Sequence, residues 1–197
     1  MMLTCKTISE NEEILEFSKQ YHLVSGHGIE ADELKRRTCV DAFFDSNGRM
    51  CAGYTVNCEH PLVYLSDLPQ HIRVHDLYDS GDDIVEGGSI WVEDTLSDFE
   101  RGYVFIYASW RAFSMKKRYF MGGARNPKVA QRQKFIFRNI LFEGRSDKFE
   151  YLCVLYCGRK YILLQISLFI LRYWIIQPVK KWLTGLKSMT ASLTSRF

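Results

Sequence analysis

A chain of 197 residues, 47% apolar and 25% charged, is long enough for one domain with its own core and needs neither disulfides nor metal to hold it. Its four prolines argue against a long disordered linker. The net charge of +3 hides a split: every carboxylate lies at or before Glu150, whereas Arg159, Lys160, Arg172, Lys180, Lys181, Lys187 and Arg196 follow with none. Such a basic tail is expected to meet an anionic surface, lipid or nucleic acid.

The first strand is expected over Leu3 to Ile8. Ser9 and Glu12 have capping-box spacing, so a helix is expected to open there and run to about Tyr21, with Ile14, Leu15 and Phe17 on its apolar face. Ser25-Gly-His-Gly28 breaks it, and Ile29 to Arg37 is a second short helix. Cys39 to Asp45 and Met50 to Val56 form a hairpin about Asn47-Gly48, which tolerates the positive φ of a tight turn. Residues 57–83 lack a period and read as loop, with a short strand near Leu62 to Leu65. Ile84 to Val92 is a strand whose Gly87-Gly88 pair marks a bulge.

Ser97 and Glu100 repeat the capping-box spacing before a helix to about Lys117. Phe99, Tyr103, Ile106, Tyr107, Trp110 and Phe113 recur at helical intervals and are its expected apolar face. A strand follows over Tyr119 to Ala124. Asn126-Pro127 then opens a helix expected to reach Glu143. Phe149 to Cys157 is a last strand of buried type. The six cysteines form no C-x-x-C pair and are expected as buried, reduced thiols in a reducing cytoplasm. Met1 to Glu13 contains no apolar run, so no secretory signal is expected.

This order of elements, an α/β (α+β) pattern, resembles the Gcn5-related N-acetyltransferase family over roughly residues 1–157. The resemblance implies a mixed, mostly antiparallel sheet flanked by helices. Asn126, Ala130 and Phe135 are similar to the family's Asn…Ala…Tyr spacing. The family's glycine-rich pyrophosphate loop is reduced here to Glu100-Arg101-Gly102-Tyr103-Val104, more like the carrier-protein-using branch of autoinducer synthases and N-acyl amino acid synthases. The N-terminal Arg/Phe/Trp pattern of autoinducer synthases is not evident.

The resemblance implies acyl transfer from a thioester, acyl-CoA or acyl-carrier protein, to a small amine. That reaction needs a base for the ammonium and donors for the carbonyl oxygen. Glu86 and Glu93 are the candidate bases. Their spacing of seven puts them on opposite faces of a regular strand, unless a bulge intervenes. Backbone N–H groups near Gly88 or Ser89 are candidates for the thioester oxygen, and Tyr107 or Ser109 for protonating the leaving thiolate. Arg101, Gly102, Arg125, Asn126 and Lys128 are the candidate cofactor-binding residues, with Arg132 on the same helical face as Lys128. Each also has a plain structural explanation: strand-end carboxylates, a solvated basic helix face, or core. No metal is expected, because His71 and His75 lack the rest of a ligand set. No P-loop, dinucleotide fingerprint or G-x-S-x-G elbow occurs.

Residues 158–197 are expected as a separate basic, apolar segment. Tyr161 to Val179 carries one internal charge, Arg172, and is flanked by Arg159-Lys160 and Lys180-Lys181. Three forms stay open: a helix lying on the membrane surface, a span, or a core or dimerisation helix. Residues 159–187 are the expected membrane contact, and Lys180 to Lys187 is a basic amphipathic stretch. Nucleic acid is a weaker partner, because the basic residues are sparse among apolar runs. Two functions remain: an N-acyltransferase, or an inactive module of the same fold tethered to a membrane.

Overall fold

The computed structural model describes residues 3–73, 75–180 and 182. Seven strands form one sheet in the order β1-β2-β3-β4-β5-β7-β6. They are β1 (Thr4–Thr7), β2 (Cys39–Phe44), β3 (Met50–Asn57), β4 (Ile84–Val92), β5 (Tyr119–Ala124), β6 (Asn139–Gly144) and β7 (Leu152–Gly158). All neighbours are antiparallel except β4 and β5. The helices are α1 (Asn11–Ser25), α2 (Ala31–Lys35), the short α3 (Val63–Ser66) and α4 (Asp76–Asp79), α5 (Asp98–Ser114), α6 (Pro127–Gln133) and α7 (Arg159–Phe169). α7 continues through a π-helical stretch, Ile170–Ile176, so that one C-terminal helix runs Arg159–Lys180.

α1 and α2 cover one face, where Ile14, Phe17 and Leu34 pack on Val40, Ala42 and Trp91. α5 and the C-terminal helix cover the other, where Val104, Ala112 and Ile162 pack on Phe43, Tyr54, Val56 and Val85. This is the mixed, mostly antiparallel architecture that the order of elements implied.

Four local expectations differ. Ser9 caps nothing: strand pairing continues to Ile8, whose N–H donates to Val40 O at 2.9 Å, so α1 opens at Asn11 behind Glu10. Leu62 to Leu65 is no strand. β3 already has β2 and β4 on its two edges, and the segment coils into α3, whose Tyr64 N–H donates to the Glu86 carboxylate. α6 stops at Gln133, and Asn139–Gly144 pairs with β7 as the edge strand β6.

The fourth concerns α5. Phe99, Tyr107 and Trp110 stay exposed, while Gly102, Val104, Ser109 and Ala112 are buried. The helix lies between the sheet and the C-terminal helix, and close approach on both sides requires small residues. The Ser97–Glu100 capping box forms as expected, with Ser97 accepting from Glu100 N and Glu100 accepting from Ser97 N. The six cysteines are free thiols, four of them buried. Most of the stretch Lys180 to Lys187 lies outside the described residues.

Candidate active site

The sheet is split. β4 and β5 pair only through Ile84↔Tyr119, Val85↔Phe120 and Glu86↔Met121. Beyond Glu86, β4 stays with β3 as far as Val92, and β5 stays with β7 as far as Ala124. The two strands therefore diverge, and the backbone of β4 from Gly87 onward has no strand partner on that side. Its N–H and C=O groups on that edge border a cleft of about 470 Å³.

A bulge re-aims β4 along this edge. Gly53↔Trp91 and Thr55↔Gly88 are consecutive same-face pairs on β3 but three residues apart on β4, so one extra residue lies in Ser89-Ile90. This is just past the glycine pair to which the sequence pointed. Ser89 takes the positive φ of 46° that the bulge requires. Because Glu86, Gly88 and Trp91 pair with Asn57, Thr55 and Gly53, all three project to the α1/α2 face.

Glu86 stands at the closed end of the cleft and is 2% exposed. Its Oε1 accepts from Arg37 Nη1 at 2.9 Å and its Oε2 from Tyr64 N at 2.8 Å. Burial raises its pKa, opposed by the Tyr64 N–H and the Arg37 guanidinium. Arg37 also donates to Glu33, and its buried Nε has no acceptor.

Tyr64 bridges the split. Its ring lies against the backbone of Gly123, where a Cβ would come within 2.5 Å of it, and its hydroxyl would be 4.0 Å from a Cβ on Gly88. Burial, and then the Glu86 charge, hold this phenol well above its ordinary pKa, so it is a neutral donor. Phe120 packs on Gly87 and Phe137 on Gly122 in the same manner. The glycines on both sides of the split thus make room for flat aromatic packing.

The other candidates are distributed as follows. Ser89, Arg101, Arg125 and Asn126 line the cleft. Arg101 donates to Leu96 O, Glu93 O and Asp94 Oδ1, bracing the loop before α5. Arg125 pairs with Asp67 at 2.9 Å and stacks over Phe149. Asn126 caps α6 by accepting from Lys128 N. The Lys128 side chain is exposed, while Arg132, one turn on, lines the cleft.

Glu93 lies off the cleft, held by both oxygens to Arg49 Nη1 at 2.6 and 2.8 Å. Gly102 is under Tyr173 and Trp174. Tyr107 packs on Phe43, away from the cleft. Among the described residues no three His, Cys, Asp or Glu side chains cluster as a metal site. Arg37, Tyr64 and Trp91 were not singled out by sequence. Nothing local distinguishes a buried arginine after α2 or a tyrosine in an aperiodic loop.

A mixed sheet splayed between one parallel pair of strands, with a bulged strand on the split and helices on both faces, is the fold of the Gcn5-related N-acetyltransferases. The solved structures similar to it include FeeM, an N-acyl amino acid synthase from uncultured soil microbes (TM-score 0.64, 10% identity, 85% of this chain and 96% of that one). Also similar is a Bacillus subtilis acetyltransferase in complex with CoA (TM-score 0.51, 13% identity, 80% and 99%). A third is a spermidine N-acetyltransferase chimera from Vibrio cholerae SpeG and hSSAT (TM-score 0.52, 10% identity, 83% and 99%). No protein-family model matches the chain. No curated protein matches it by sequence.

Proposed function

We propose that the chain is an N-acyltransferase that moves an acyl group from a CoA or carrier-protein thioester to a small amine in the split between β4 and β5. The observation that carries this is the juxtaposition, at one point of the split, of a buried carboxylate (Glu86), a neutral phenol (Tyr64) and an unpaired bulged backbone (Gly88-Ser89). The amine nitrogen attacks the thioester carbon, a C–N bond forms and the C–S bond breaks. Glu86 takes one ammonium proton before attack, and its raised pKa makes it the stronger base. N–H groups of the bulge stabilise the oxyanion. As the tetrahedral intermediate collapses, Tyr64 gives its proton to the departing thiolate and the second nitrogen proton restores the phenol; the thiol leaves neutral and Glu86 yields the first proton to solvent. Arg101, Arg125 and Arg132 at the cleft are suited to a phosphate of the donor's pantetheine arm. Glu93, bound to Arg49, has no part in this scheme.

FeeM, similar in fold, is an N-acyl amino acid synthase, and the chimera is a spermidine N-acetyltransferase. Both support an amine acceptor. Work in the cytoplasm at a membrane surface belongs to the same reading, supported by the apolar helix Arg159–Lys180. The test is incubation with acyl-CoA and with acyl-carrier protein over a panel of small amines, with N-acyl products read by mass spectrometry. Product formation that falls at least a hundred-fold in Glu86→Gln supports the proposal. A folded protein that binds neither thioester and makes no product leaves an inactive module of this fold.

A further inference from the structure

The C-terminal helix has two unlike sides. The inner side is committed to the protein. Ile162 is fully buried, and Gln165 donates to Ile136 O at 2.7 Å. Phe169 and Tyr173 stack on Phe105 at 5.3 and 6.0 Å, and Trp174 stacks on Phe99 at 5.1 Å. The π-helical stretch, with more residues per turn, keeps Tyr173 and Trp174 on this side along a helix of 22 residues. The outer side is apolar and uncovered: Leu164, Leu168, Leu171, Ile175, Ile176 and Val179 are each 39–52% exposed. Lys160, Arg172 and Lys180 are exposed along the same helix, and no carboxylate follows Glu150.

We infer that this outer side is a docking surface for an anionic lipid bilayer, on which the helix lies flat. Three observations select this occupant and orientation. Gly158 is both the end of β7 and the N-cap of α7, so no linker lets the helix swing away from the sheet. Spanning would require stripping Ile162, Gln165 and the aromatic stacks from the core, because the ~30 Å hydrocarbon layer needs ~20 residues at 1.5 Å each. A second copy of the chain would set one acid-free basic helix against another, whereas anionic headgroups complement it. The arrangement also has a consequence for the cleft. Phe105 lines the cleft and stacks on Phe169 and Tyr173, so the membrane-lying helix backs the cleft wall.

The inference stands on the helix alone and not on acyl transfer, so it is tested without substrate. The full chain is sedimented with phosphatidylcholine vesicles containing 25% phosphatidylglycerol, and with phosphatidylcholine alone. The expected result is binding to the anionic vesicles ten- to a hundred-fold tighter than to neutral ones, on the order of five-fold for each basic residue at the surface. The bound protein is released by alkaline carbonate. Leu164→Glu/Leu168→Glu/Ile175→Glu, at exposed positions, is expected to keep the wild-type circular dichroism spectrum and lose vesicle binding. The inference is overturned by a folded chain that ignores anionic vesicles, or by a triple variant that binds them as well as wild type. Bound protein that resists carbonate makes the helix a span, and a vesicle-indifferent dimer dissolved by the triple variant makes the surface a self-interface.

Discussion

Replacing Gly102 with alanine sets two known effects against each other. Gly102 lies inside α5, where alanine is favoured over glycine by about 1 kcal/mol. The added methyl, however, would sit 2.5 Å from Tyr173 Cβ, 3.0 Å from Tyr173 Cγ and 3.2 Å from Trp174 Nε1. Tyr173 Cβ is fixed to its backbone, so no side-chain rotation relieves the contact. The C-terminal helix must back away by about an ångström, loosening the Phe105 and Phe99 stacks, and overpacking of this kind costs about 1–3 kcal/mol. Gly102→Ala is therefore expected to be net destabilising by up to about 2 kcal/mol, a fall in Tm of a few degrees for a chain this size. Thermal unfolding followed by circular dichroism measures it, and Tyr173→Gly supplies the control. With both the ring and its Cβ gone, Gly102→Ala should become stabilising. A Gly102→Ala protein more stable than wild type, with Tyr173 intact, would refute the close packing of α5 on the C-terminal helix.

Gly123→Ala should displace the Tyr64 ring from the split, lowering acyl transfer in product assays while leaving β5–β7 pairing intact; unchanged activity would remove Tyr64 from the scheme. The acid limb of the pH–rate profile should lie above the ordinary carboxylate pKa of about 4.3, because burial raises Glu86. A limb at or below that value would exclude Glu86 as the base. Ser97→Ala removes a helix cap and should cost about 1 kcal/mol by chemical denaturation. The Ser97 hydroxyl, more than the Ser97 N–H, holds Glu100 below its ordinary pKa, so this contribution is present above about pH 4.5 and lost as the pH falls through the lowered value. The cost of Ser97→Ala should shrink accordingly in acid. Asp41 is 1% exposed, accepts from Tyr54 Oη at 2.6 Å and stands 3.2 Å from Arg111 Nε. Asp41→Asn should destabilise by about 1–3 kcal/mol, less than a fully buried pair because Arg111 is partly solvated.

What the sequence by itself determined is what short-range physics controls. Turn chemistry set the β2–β3 hairpin about Asn47-Gly48. Ser97 and Glu100 marked the start of α5, and Asn126-Pro127 the start of α6. Acid-free composition marked the C-terminal helix, and the order of elements carried the fold. Tertiary structure decided what depends on partners distant in the chain. Asn139 to Gly144 became β6 only because β7 offered an edge. Phe99, Tyr107 and Trp110 of α5 stay exposed, and Tyr173, 71 positions beyond Gly102, packs where a glycine leaves room for it. At the site, Glu86 and the glycine-marked bulge were legible as strand features. Arg37, Tyr64 and Glu86 meet across 49 and 22 residues, and no local pattern encodes that meeting. Which of two glutamates enters the cleft was likewise decided by a partner distant in the chain. One extra residue in β4 sets the facing of the strand beyond it, and Arg49 across the sheet holds Glu93 outside.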